Sequence, residues 1–127
     1  MSQPDGILGT HSPLYSWRYD AAAAKASRDR GRLSPQALNR AFAPGGFLQD
    51  FDLRPELSRI TAPTLIVSGR HDWICPPEFS QEIHRLIPGS DLRIFEESSH
   101  AVRGDEPEKL IDAILGFLAY KAPTPAR

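Results

Sequence analysis

The stretch TLIVSGRHDWICPP, Thr64–Pro77, decides the fold of this chain. Its first part, Thr64–Ser68, is a run of apolar and β-branched residues, which is the pattern of a strand covered on both faces in a parallel sheet. The chain then turns at Gly69 and places an acid, Asp72, in a loop that ends in two prolines. An acid just after a buried strand raises the question of which side chain it interacts with.

A second stretch, LRIFEESSH, repeats the arrangement with a histidine in the loop. Leu92–Phe95 is predicted as a strand, and His100 follows it in a loop. Between the two strands, apolar residues recur on one helical face and predict a helix over Pro77–Ile87. The order strand, helix, strand favours parallel strands joined by a right-handed crossover.

The chain closes with a predicted helix over Pro107–Tyr120, capped by Asp105. Its apolar positions form one stripe: Leu110, Ile111, Ile114, Leu115 and Leu118. Because parallel strands end at the same edge of a sheet, where ligands of open α/β sheets bind, Asp72 and His100 are expected to meet there. A hydrogen bond between them, roughly 2.6–3.2 Å long, is the specific prediction.

The first half of the sequence predicts two helices. Ser12 and Pro13 form a start signal for the first, which ends at Gly31, and Ser34-Pro35 starts a second that ends at Pro44. A short turn of helix is predicted at Glu56–Arg59. Three aromatic residues in this half are interpreted as packing for a cap helix, with a role facing substrate as the alternative: Tyr15, Trp17 and Tyr19.

Composition excludes several classes of function. The 127 residues carry a net charge of −1 without a basic stripe, so nucleic acid is not expected as a partner. Apolar runs are too short to span a bilayer, and the N-terminus lacks the features of a secretory signal. A cytoplasmic, reducing setting is therefore expected. The single cysteine, Cys75, excludes an internal disulfide.

No metal or cofactor is expected. The spacing of His71, Cys75 and His84 fits no standard metal site. Cys75 is also disfavoured as a nucleophile, because it does not lie in a strand-to-helix elbow and has no dedicated base.

Ala62–Leu118 resembles the C-terminal part of an α/β-hydrolase, closest to the prolyl aminopeptidase-like branch, in which a G-R-x-D loop and an S-x-H loop are typical. The resemblance implies that Asp72 is the acid and His100 the base of a catalytic triad, in the order of that fold. Trp73 and Val102 are then expected to line the substrate site, and the substrate is expected to be a small amide or ester. Residues 1–55 correspond to a helical cap segment, 56–121 to the core and 122–127 to a tail.

The nucleophile of such a triad is missing from the sequence. No serine before Asp72 has a glycine two residues earlier, as the G-x-S-x-G elbow requires. Three explanations stay open: a truncated hydrolase, one piece of a split enzyme, or a non-catalytic binding or regulatory fragment that pairs with a hydrolase core. A receiver-type domain with Asp72 as phosphoacceptor is disfavoured, because the acidic cluster after the first strand and the matching lysine that such a domain needs are not evident. An open sheet edge also predicts self-association.

Overall fold

The computed structural model describes residues 12–31, 34–46, 48–49 and 51–121. The predicted tail and the first eleven residues of the predicted cap segment lie outside this range. The division of the chain at residue 55 stays a prediction. None of the helices in the described part is long and apolar enough to cross a membrane.

Two α-helices precede the sheet, α1 (Ala21–Arg30) and α2 (Pro35–Phe42). The predicted start of the first helix at Ser12 is wrong. Ser12–Tyr15 is a 3₁₀ turn, and α1 begins only after Asp20, whose Oδ1 accepts hydrogen bonds from the first amides of the helix. The local cap of Asp20 is therefore the stronger start signal.

The start of α2 is the one that the sequence predicts. The amide of Ala37 donates to Oγ of Ser34 over 3.3 Å, the usual bond of an N-terminal cap. Further along, the short turn of helix predicted at Glu56–Arg59 is a 3₁₀ helix that begins two residues earlier and spans Arg54–Arg59.

The sheet has two strands in the described residues, β1 (Leu65–Gly69) and β2 (Asp91–Phe95). They are parallel and adjacent, with Gly69 opposite Phe95 at the carboxyl end. This confirms the prediction, with the bounds shifted by one residue.

Helix α3 (Pro77–Leu86) crosses over between the strands and packs against both of them. Pro77 stands at the first helical position, where its lack of an amide proton costs nothing. Gly89, with φ of +72°, lies in the turn that leads into β2. The predicted crossover helix is confirmed.

Two helices follow β2, and only the second was predicted. The short α4 (Val102–Asp105) leads directly into α5 (Pro107–Lys121). The predicted apolar stripe of α5 is largely exposed, and Ile111, Leu115 and Leu118 each keep more than half of their surface. The described strands are too few to cover this stripe.

Apolar burial is slight for a chain of this length. The buried aliphatic and aromatic side chains of the described residues are Ala41, Ile87 and Phe95. Buried polar side chains outnumber them, and most of these lie beyond the carboxyl ends of the strands: Asp72, Ser98, Ser99 and Glu106, with Ser68 and Ser90 elsewhere. The best-packed part of the molecule is therefore the loop edge of the sheet.

Candidate active site

The acid loop, residues 70–76, holds Asp72 through its own backbone. Oδ1 of Asp72 accepts hydrogen bonds from the amides of Ile74 at 2.9 Å and Cys75 at 3.0 Å. Asparagine and aspartate make such local bonds readily, because the short side chain reaches amides two and three residues ahead. With 8% of its surface exposed, Asp72 is buried and its carboxylate is fixed in orientation.

The other oxygen of Asp72 faces the histidine loop, residues 96–101. Oδ2 lies 2.9 Å from Nδ1 of His100, which confirms the predicted contact. An ionised carboxylate can only accept a hydrogen bond, so in the neutral imidazole Nδ1 carries the proton and Nε2 has the free lone pair. This is the tautomer that a histidine base needs. The His100 side chain is 38% exposed and thus accessible.

Gly69 allows the two loops to come this close. A Cβ at this position would lie 2.1 Å from the carbonyl oxygen of Ser99, well inside contact distance. Two of the hydrogen bonds that join the loops involve the backbone of His71: its amide donates to the carbonyl of Ser98 at 2.9 Å, and its carbonyl accepts from Oγ of Ser99 at 3.0 Å. The glycine of the G-R-x-D motif therefore serves the approach of the histidine loop.

A buried carboxylate that sequence reasoning missed, Glu106, supports the histidine loop from below. Its Oε2 accepts hydrogen bonds from Oγ of Ser98 at 2.7 Å and from the amide of Glu97 at 3.0 Å, and its Oε1 from Nζ of Lys109 at 2.6 Å. The bonds from Lys109 and Ser98 lower the pKa of Glu106, against the opposing effect of burial. No local pattern predicts this role, because the two partners of Glu106 in the histidine loop are eight and nine residues away.

Asp105 has a different role from the predicted one. Its Oδ2 accepts hydrogen bonds from the amide of Ser99 at 2.9 Å and from the amide of Trp17 at 3.0 Å. The prediction that it caps the last helix is therefore wrong. Asp105 is the last residue of α4, and the hydrogen bonds that its carboxylate accepts come from these two amides.

The segment from Leu14 to Trp17 lies over both loops. The carbonyl of Leu14 accepts hydrogen bonds from Nε1 of Trp73 at 2.9 Å and from Oγ of Ser99 at 3.2 Å. The amide of Ala101 donates to the carbonyl of Tyr15 at 2.8 Å. This segment thus connects the acid loop to the histidine loop a second time.

The sequence predicts that the aromatic residues of this segment pack in a cap helix, but in the structure they do not. The ring of Tyr15 stands edge-on to His100 at 5.4 Å and to Trp73 at 6.4 Å. Trp17 stacks on His71 with ring centroids 3.8 Å apart. Their contacts are with the two loops because the chain is not helical between residues 16 and 20.

Of the two residues expected to line the substrate site, Trp73 lies beside the pair and is half exposed. Val102 is the first residue of α4 and is partly buried. Contact of either with substrate stays a prediction.

The three residues weighed as a metal site lie apart. His71 donates through Nε2 to the carbonyl of Glu96 at 3.1 Å, and Nδ1 of His84 lies 2.8 Å from Oγ of Ser90. Cys75 instead lies beside Asp72 and His100. Partial desolvation and the charge of Asp72 raise the pKa of the Cys75 thiol, which keeps it protonated and a poor nucleophile at neutral pH.

Comparison with known proteins identifies relatives among the hydrolases. The chain is 36% identical over 107 residues to the proline iminopeptidase PfmaB of Pestalotiopsis fici, an alignment of 84% of this chain and 37% of that protein. It is 40% identical over 73 residues to a proline iminopeptidase of Saccharolobus solfataricus, covering 58% of this chain and 23% of that one. No protein-family model matches the chain.

A solved esterase from Exiguobacterium antarcticum superposes with a TM-score of 0.72 and 32% sequence identity, covering 88% of this chain and 41% of the esterase. The chain therefore spans less than half of the length of each of these relatives. Fold and sequence similarity lead to one assignment: the chain corresponds to the C-terminal portion of an α/β-hydrolase of the proline iminopeptidase-like branch.

Proposed function

We propose that this chain supplies the acid and the base of a hydrolase that cleaves small amides or esters, with Asp72 as the acid and His100 as the base. The observation that carries the proposal is the 2.9 Å hydrogen bond between Oδ2 of Asp72 and Nδ1 of His100. It leaves Nε2 of His100 to take a proton from a nucleophile and return it to the leaving group. The relatives named as iminopeptidases and esterases support the amide and ester classes.

The nucleophile in this proposal comes from a segment outside these 127 residues, on the same or a second polypeptide. The sequence has no G-x-S-x-G elbow. Hydroxyl groups near the pair are engaged elsewhere: Oγ of Ser98 donates to Glu106, and Oγ of Ser99 donates to the carbonyls of Leu14 and His71. Neither serine is therefore a substitute nucleophile.

The 127-residue chain alone is expected to lack enzymatic turnover. Loss of one oxyanion donor costs about 10²–10³ in rate in a protease, and here both nucleophile and oxyanion donors would come from elsewhere. The test is a panel of activated esters and proline amides, assayed with the chain alone and with the polypeptide encoded upstream or nearby that carries an elbow. Turnover is expected only for the combination.

Two variants decide whether the turnover uses the pair. Asp72→Asn in the combination is expected to lower kcat about 10⁴-fold, because the amide favours the wrong tautomer of His100. Asp112→Asn, at an exposed position of α5, is the matched control and should leave the rate unchanged. Turnover by the chain alone that disappears in His100→Ala would contradict the proposed division of the site.

A non-catalytic role is the second candidate. The exposed apolar side chains of α5 favour a fragment that pairs with a hydrolase core without completing a site. Tight association with an elbow-bearing partner, without turnover of any ester or amide, would favour this candidate.

A further inference from the structure

A third ligand-type side chain lies against the acid–base pair. A carboxylate oxygen of Asp72, Sγ of Cys75 and a ring nitrogen of His100 all lie within 4.8 Å of one another. Cys75 and His100 are exposed, so an ion can reach them from solvent, while Asp72 is buried at the base of the group. The proposed hydrolytic chemistry uses the carboxylate and the imidazole and leaves the thiol without a role.

The loop geometry fixes two of these three groups relative to each other. Because the Cys75 amide donates to Oδ1 of Asp72, the backbone that carries the thiol is held beside the carboxylate. His100 approaches from the histidine loop through its bond to Oδ2. The three donors are thus assembled before any ion binds, which lowers the entropic cost of binding.

The donor set matches zinc. A thiolate, an imidazole and a carboxylate are the ligand types that zinc takes in proteins, at about 2.0–2.3 Å. Two ligands of one tetrahedral zinc are about 3–4 Å apart, so donor atoms that now lie within 4.8 Å of one another need to close by about 2 Å at most. Three protein ligands leave the fourth position open to water.

We propose that Asp72, Cys75 and His100 bind one zinc ion, and that the bound ion takes the acid–base pair out of catalysis. On binding, Cys75 loses its proton to solvent and the sulfur becomes a ligand. His100 binds through a ring-nitrogen lone pair, and the carboxylate of Asp72 turns from the imidazole to the ion. The inhibitory part rests on the proposed function, whereas the binding part does not.

The test uses the untagged chain, kept reduced, and needs no substrate. Cobalt(II) replaces zinc as a coloured probe, because a thiolate ligand gives it a charge-transfer band in the near ultraviolet. Cys75 is the single cysteine of the sequence, so such a band reports on that residue alone. We expect the band to appear with one cobalt per chain and to vanish when zinc is added. Calorimetric titration with zinc should give the same stoichiometry.

Variants assign the other ligands. Cys75→Ser, at an exposed position, should abolish the band and weaken zinc binding by more than the about 10–100-fold that loss of an outer partner costs. His100→Ala should weaken it comparably. His84→Ala, a histidine bonded to Ser90 and outside the group, should leave it unchanged.

The absence of a thiolate band in the wild-type chain would overturn the proposal. So would a band of unchanged affinity in His100→Ala, since the thiol would then act alone. Zinc binding is measured without turnover, so its failure leaves the hydrolase proposal standing, and an inactive hydrolase leaves the zinc proposal standing.

Discussion

The loop edge of the sheet and the surface of α5 differ in how fully their side chains find partners among the described residues. At the loop edge, buried polar groups find their partners within the chain: Asp72, Ser98, Ser99 and Glu106 all make hydrogen bonds. No buried side-chain nitrogen or oxygen among the described residues lacks a partner. On α5, by contrast, Ile111 and Leu115 stay more than half exposed. The acid–base pair is therefore assembled by contacts within the described chain, whereas the apolar surface of α5 has no packing partner among the described residues.

The largest expected effect concerns the closest approach at the loop edge. Gly69→Ala places a Cβ against the backbone of Ser99, which cannot move aside as a side chain could. We expect a loss of stability at or above the upper end of the about 1–3 kcal/mol typical of overpacking. Denaturant unfolding measures it. Gly116→Ala in α5, where a Cβ meets no atom within 4 Å, should instead stabilise by about 0.5–1 kcal/mol. Equal changes in stability for Gly69→Ala and Gly116→Ala would contradict the contrast between a closely packed loop edge and an open surface on α5.

The second prediction tests the buried carboxylate beneath the histidine loop. Glu106→Gln keeps the shape of the side chain but removes the negative charge that accepts hydrogen bonds from Lys109 and Ser98. The free energy of unfolding should fall by about 1.5 kcal/mol. Glu108→Gln, at an exposed position in the first turn of α5, is the control and should be neutral.

The same variant should change the response to acid. Because the pKa of Glu106 is lowered from its ordinary 4.5 in the folded chain, its contribution is fully present above pH 4.5 and lost as the pH falls through the folded pKa. Glu106→Gln should therefore lose less stability than wild type on acidification from about pH 5. The remaining loss comes from the other carboxyl groups whose pKa values are lowered, Glu96 by Arg70 and Asp52 by Arg54. An unchanged pH dependence would contradict the assigned role of Glu106.

The smallest change in stability is expected for a substitution on the exposed face of α5, although the same substitution should clearly reduce self-association. Leu115→Lys changes an exposed side chain, so the free energy of unfolding should change by about 0.5 kcal/mol or less. The isolated wild-type chain is expected to self-associate through exposed apolar surface, and the variant to do so less, by sedimentation velocity. Thr61→Lys adds the same charge at an exposed polar position as the control. A wild-type chain that stays monomeric at all concentrations would count against self-association through the exposed apolar surface of α5.

Sequence reasoning succeeded where the signal was local or set by the topology of the sheet. Buried-type runs, proline starts and helical stripes predicted both strands, α3 and α5, and parallel pairing then brought Asp72 to His100. The catalytic role of the pair is still a proposal, since geometry alone does not test it.

It failed where contacts are distant in sequence. Asp105 was predicted as a helix cap from its neighbours, but its bond partners include Trp17, 88 residues away. Tyr15 was assigned to a cap helix for the same reason, although its carbonyl accepts from Ala101. Periodicity carries no information on such pairs, because it reports the face of an element and not what lies against that face.

The carboxylate of Asp72 has one further consequence, for spectroscopy. Its two oxygens share one charge, so a change at Oδ2, where His100 bonds, alters how strongly Oδ1 attracts the amide protons of Ile74 and Cys75. Those two amide resonances are therefore built-in reporters in nitrogen-15 NMR spectra. Protonation of the imidazole, arrival of a metal ion or docking of another polypeptide would each move them, so the site can be followed without a substrate or an added label.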